Sequence, residues 1–237
     1  MDKQLSEKTS FITVKDEINI KKIVILIVTS VIFLASIYIA RLFHLLEEPL
    51  FSLIYYGNLN GVFYAACSFL FYLAVVIVTN IILKKKFKFR LFEKNKKPIS
   101  IVNRAIIYII VLGFGLGISI YLNFKLKIVY ELGERITGMQ LLSNGVSYVM
   151  EAMKILIAVC IICLIQETFE NIFESKIPIP YGGLVLFLTY GVLEFIFNYS
   201  TFSPIYFVFT FVYGIIYLLT NKRTLLTFLV SLILFLL

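Results

Sequence analysis

Apolar residues run almost unbroken over 23–40, 62–83, 101–124, 146–166, 181–198, 202–219 and 224–237, and polar or charged residues close each run. An α-helix rises about 1.5 Å per residue, so a run of some 18 residues or more crosses most of the roughly 30 Å hydrocarbon layer of a bilayer. Within that layer every backbone N–H and C=O must be satisfied inside the chain, which selects helices for runs of this kind. The pattern predicts an all-α, polytopic bundle of seven transmembrane helices, one domain over 23–237 behind a polar tail at 1–22. The last run is short, and a tilted or incomplete crossing is expected of it.

The polar breaks carry the orientation. After the second run comes KKKFKFRLFEKNKK, with Lys84, Lys85, Lys86, Lys88, Arg90, Lys94, Lys96 and Lys97 against the single acid Glu93. Lysine and arginine collect on the cytoplasmic side of short loops, so this loop is expected there. Counting outward, the breaks at 167–180 and 220–223 and the N-terminus fall on the same side. Phe87, Phe89 and Phe92 are expected at headgroup level, with Lys84, Lys85, Lys86, Lys88 and Arg90 facing anionic lipid. The break at 42–61 and the one at 125–145, which holds Glu131, Glu134 and Arg135, are then external, the second with the makings of an amphipathic surface helix.

Composition narrows the class further. Hydrophobic residues make up 60% of 237 and the mean hydropathy is +0.96, which excludes an ordinary soluble domain. A net charge of +8 would suggest nucleic acid in a soluble protein. Here the cations sit at the ends of apolar runs, so no nucleic-acid partner is expected and the bilayer is the expected surroundings. Abundant Phe, Tyr, Ile and Lys with no Trp is the bias of an AT-rich bacterial genome. The first run follows a polar stretch and lacks a small-x-small cleavage site, so it is expected to stay as an anchor in the cell membrane.

Metal and redox chemistry find little support in the residue pattern. Cys67, Cys160 and Cys163 all fall in apolar runs, and Cys160 and Cys163, one turn apart with no second Cys or His pair, read as packing residues. His44, Glu47 and Glu48 beside Pro49 have the spacing to share a helical face, but no other histidine exists and an interfacial loop is the expected setting. No metal or cofactor is expected. Gly113 and Gly117, four apart in VLGFGLG, are expected to let two helices approach closely.

Charge at membrane depth is the costliest feature, roughly 2.5–3.5 kcal/mol per group on insertion scales. Glu151 and Lys154 are three apart at the start of the fourth run and are expected to pair on one face. Glu167 and Glu170 repeat that spacing at its other end. Glu194 lies two-thirds along the fifth run among apolar neighbours, where an isolated carboxyl is expected to be neutral and to serve as an interhelical hydrogen-bond donor or a functional contact.

The order of these features resembles the CAAX protease and bacteriocin-processing family of intramembrane proteases, also called Abi. That family places Glu-Glu-x-x-x-Arg at the end of one span, Phe-x-x-x-His in the next, and a last His in a closing helix pair. Here Gln166, Glu167, Thr168, Phe169, Glu170 and Asn171 stand in the first place, Tyr190 to Glu194 in the second, and Gly214 to Leu237 in the third, over about 150–237. The resemblance implies a helical membrane fold, a glutamate that activates water, and histidines that hold an oxyanion or a metal. It marks Glu167, Glu170 and Glu194 as the candidate catalytic positions and Tyr190, Asn171, Glu151 and Lys154 as cavity or packing residues. Gln166 replaces the first Glu, Asn171 the Arg, Glu194 the His, and no His stands near Ser231. The expectation is a degenerate member without hydrolysis: a membrane scaffold, regulator or immunity factor that binds another membrane or envelope protein. The alternatives are an active endopeptidase with a displaced site and a small-molecule carrier lined by Glu151, Lys154 and Glu194.

Overall fold

A computed structural model describes residues 12–15, 18–51, 61–92, 98–121, 138–175, 177–197 and 203–237. In chain order these form β1 (Ile12–Val14), α1 (Ile20–Phe51), α2 (Val62–Phe87), α3 (Ile101–Tyr121), α4 (Gly138–Ile172), β2 (Phe173–Ser175), α5 (Tyr181–Leu186), a π-helical turn (Phe187–Gly191), α6 (Val192–Phe197), α7 (Ser203–Leu219) and α8 (Thr224–Leu236). The class is all-α, as the apolar runs predict, and four helices are long and apolar enough to cross a membrane: Ile20–Phe43, Val62–Phe87, Ile101–Tyr121 and Asn144–Ile172. The helices from Tyr181 onward are apolar but shorter.

α4 is the axis of the bundle. A helix that is apolar on all sides belongs inside, and from Ile157 to Leu164 every residue of α4 is buried. α1, α2, α5, α7 and α8 all pack against it. α3 is its opposite: among the described residues it packs mainly on α7 and α8, and Ile109, Leu112, Leu116 and Ile120 on its outer face are exposed.

Lipid tails are as apolar as leucine, so close backbone packing rather than water exclusion holds such helices together. The tight crossing is made by glycines at the start of α5. A Cβ on Gly183 would lie 2.7 Å from the Gly214 Cα of α7, and one on Gly182 would lie 2.3 Å from the Ile162 carbonyl oxygen of α4. The spacing-based expectation for Gly113 and Gly117 is corrected here. A Cβ at either position meets nothing within 4 Å, because both face an open apolar groove bordered by Phe114, Tyr121 and Val208, and it is Gly115 that packs, against Leu237.

Two further expectations change. Arg41 does not end the first helix, which runs on to Phe51, so residues 42–51 are helix rather than connector. The side chains of His44, Glu47 and Glu48 lie outside the described residues, as do residues 52–60 and the connector at 122–137. The polar tail is also partly structured: β1 pairs antiparallel with β2, Ile12 opposite Ser175 and Val14 opposite Phe173, and the Lys15 N–H donates to the Ile172 carbonyl at 2.9 Å. A polar tail and an acidic connector hide such pairing, because a three-residue ladder has no periodicity to read.

α2 ends where Lys88 turns left-handed (φ 54°) and its N–H returns to the Leu83 carbonyl, a C-cap that folds Leu91 inward. Lys84, Lys85, Lys86, Lys88 and Arg90 stay exposed around this turn. They share one end of the bundle, the basic end, with the start of α1, the end of α4 and the turn between α7 and α8.

Candidate functional site

Two polar clusters occupy opposite ends of the bundle, and each contains residues marked by the family pattern. At the basic end, Glu167 of α4 accepts a hydrogen bond and ion pair from Lys22 of α1 at 2.6 Å, and Asn171 bonds both Glu167 and Lys22. Glu170, one turn on from Gln166, is paired with Lys222. Lys222 reaches it because Asn221 and Lys222 both adopt left-handed backbone angles, φ 56° and 60°, in the turn between α7 and α8. Asparagine tolerates that region, and for lysine it is strained.

Gln166 uses its whole amide. Its Nε2 donates to Glu170 at 2.7 Å and to the Ile179 carbonyl at 2.9 Å, while its Oε1 accepts from the Gly182 N–H at 3.1 Å. A glutamate there would have no N–H to give the Ile179 carbonyl and would add a negative charge beside Glu170. Gln166 thereby seats the start of α5 on α4. Tyr181 stacks on Phe169 at 5.0 Å and lies near Phe173, which closes the same corner with aromatic faces.

The far end is built from α1, α2, α4 and the π-turned rod of α5 and α6. Glu194 is paired with Arg41 of α1, so the expectation of an isolated carboxyl among apolar neighbours is overturned. The reason is geometric: α1 runs on to Phe51, and its Arg41 meets Glu194 across the bundle. Arg41 also sits over the Tyr38 ring, 5.2 Å from its centroid, and Tyr190 hydrogen-bonds Glu194 and meets Tyr38 edge-on at 6.4 Å. Tyr190 belongs to the π-helical turn, a one-residue widening that often occurs where a helix must re-aim its side chains. Glu151 and Lys154 pair at 2.6 Å, as their spacing predicts, within electrostatic reach of Tyr64 and Tyr72.

The two clusters do not meet. Glu151 and Glu167 both belong to α4, 16 residues apart, which is about 24 Å of helical rise. Glu194 stands with Glu151 and Arg41, and Glu167 stands with Lys22. The arrangement therefore contains no two-carboxylate site made of Glu167 and Glu194. Ser231 is fully buried in α8, and its Oγ bonds nothing.

The cysteines behave as packing residues. Cys160 and Cys163 are buried and unbridged, and Cys163 shares hydrogen bonds with Tyr217 and Thr224. Among the described residues no group of three His, Cys, Asp or Glu side chains is placed to hold a metal ion.

Sequence reasoning missed Arg41 as a site residue. The available signal was its position: counted from the start of α1, it lies about 31 Å along the helix, roughly one hydrocarbon thickness. Comparison with family models, with curated proteins and with solved structures found no match to this chain.

Proposed function

We propose that the chain is a multi-pass cell-membrane protein of seven crossing helices, built like the CAAX-type intramembrane proteases and without their hydrolysis. In this reading it is a scaffold, regulator or immunity factor that holds another membrane or envelope protein. The observation that carries it is the state of the acids. Glu151, Glu167, Glu170 and Glu194 each have a cation partner, Lys154, Lys22, Lys222 and Arg41 respectively.

A general base must reach a water with a free lone pair and must give its proton on to a leaving group. Glu167 is engaged by Lys22 and Asn171, its neighbour Glu170 is held by Lys222 and Gln166, and among the described residues no histidine stands in this cluster to relay the proton. The same pairs suit a structural role, because each neutralises charges that are partly withdrawn from water.

The placement of cations supports a cytoplasmic N-terminus. Lys21, Lys22, Lys84, Lys85, Lys86, Lys88, Arg90, Arg104, Lys222 and Arg223 belong to the segments that meet at the basic end, the end the positive-inside rule puts in the cytoplasm. The shorter helices α7 and α8 and the rod from Tyr181 lie side by side with α4, which suits crossing helices rather than a surface layer.

A carrier is the second reading. Glu151, Lys154 and Glu194 come together at the far end as that hypothesis requires. The glycines Gly182 and Gly183 do not add to it, since they form a close crossing in the first turn of α5.

Crosslinking in native membranes followed by affinity purification in mild detergent tests the scaffold reading. It expects one membrane or envelope protein to be recovered across several detergents and to be lost with Glu194→Leu. Recovery of the chain alone in every detergent would refute it, and substrate-dependent flux into liposomes would favour the carrier.

A further inference from the structure

Beside the far-end ion pairs, three hydroxyls hydrogen-bond nothing: Tyr38 Oη, Ser68 Oγ and Tyr72 Oη. Ser68 and Tyr72 are one turn apart on one face of α2, and both are fully buried, at 0% exposure. A buried hydroxyl without a partner destabilises the protein, and phenylalanine in place of Tyr72 would remove that penalty at almost no change in shape. Tyr72 is not aimed into hydrocarbon. It lies in the electrostatic reach of Lys154, Glu151, Tyr64 and Arg41.

The charges around it remain approachable. Arg41 keeps 32% of its side-chain exposure and Glu151 keeps 28%, so both signs are presented at the same place. Two cations and two anions sum to zero. A ligand of net charge would leave one charge uncompensated among these partly buried pairs, whereas a ligand with separated opposite charges meets a partner at each end. By helical rise, Arg41 and Lys154 lie about 31 and 27 Å from the basic end, where the opposite leaflet's headgroups begin.

We propose that Arg41, Glu194, Glu151, Lys154, Ser68 and Tyr72 form a binding site for a small zwitterion, supplied either as a free solute or as the headgroup of a zwitterionic lipid. The site rests on the far-end hydroxyls and charges and not on which protein the chain holds.

The test uses the full chain purified in detergent. In the solute arm, equilibrium binding is measured for glycerophosphocholine and, separately, for its charged halves choline and glycerol phosphate. In the lipid arm, native mass spectrometry compares retention of phosphatidylcholine and phosphatidylglycerol from mixed nanodiscs. Saturable binding of the zwitterion, at least about tenfold tighter than either half, or selective retention of phosphatidylcholine, supports the site and identifies the source. Tyr72→Phe then weakens the positive arm about three- to tenfold while the ligand-free melting temperature holds or rises. The proposal is overturned if neither arm shows preference for the zwitterion, if either half binds as well as the whole, or if Tyr72→Phe leaves the positive arm unchanged.

Discussion

At the basic end, Glu167 and Glu170 are tied to Lys22 and Lys222, and the Gln166 amide between them spends both donor and acceptor on α4, α5 and their connector. At the far end, Glu194 and Glu151 are tied to Arg41 and Lys154, yet the hydroxyls of Tyr38, Ser68 and Tyr72 beside them bond nothing. Tyr181 at the basic end also has an unpartnered hydroxyl, but its ring is held in the aromatic stack with Phe169 rather than among the ion pairs. The difference teaches that ion pairing alone does not distinguish closure from recognition. What separates the ends is whether the polar groups around the pairs are used up.

The comparison is broken most severely by removing the frame that both ends share. Gly183→Val drives side-chain atoms into the α7 backbone, where even a Cβ would sit 2.7 Å from Gly214. A loss of more than about 3 kcal/mol is expected, read as failure to recover monodisperse protein in detergent. Next is Glu194→Leu, which leaves Arg41 without its anion; about 2 kcal/mol is expected, because Arg41 is only partly buried. The double variant Arg41→Leu with Glu194→Leu should recover much of that loss, a coupling that a double-mutant cycle of melting temperatures measures.

Glu167→Ala sharpens the contrast from the other side. Lys22 and Glu167 retain 37% and 34% exposure, so the pair is screened and about 0.2–1 kcal/mol is expected, shrinking further in high salt. An effect equal to that of Glu194→Leu would erase the distinction between the ends. The smallest effect belongs to Gly113→Ala, whose Cβ enters open space on a lipid-facing groove; it should change the melting temperature little or raise it slightly.

How far the chain could be read in advance follows from the same physics. The four long helices were legible because continuous apolarity over a membrane's thickness admits few alternatives, and the Glu151 and Lys154 pair was legible because both partners share one helix. The Arg41 and Glu194 pair was not, because its partners are 153 residues apart and their meeting depends on the depth each reaches along separate helices. Glycine spacing misled for a related reason. Gly113 and Gly117 have the pattern that permits close approach, but only the presence of a neighbour decides its use, and the neighbour stands at Gly182 and Gly183 instead. The ribbon of β1 and β2 left no periodic trace in either segment.

The most direct measurement incubates the purified full-length protein with a prenylated peptide or a leader peptide and follows cleavage over time, beside Glu167→Ala. With its acids held by cations and no imidazole beside Glu167 among the described residues, the wild-type chain should release no product above the variant. Cleavage that Glu167→Ala abolishes would contradict the account.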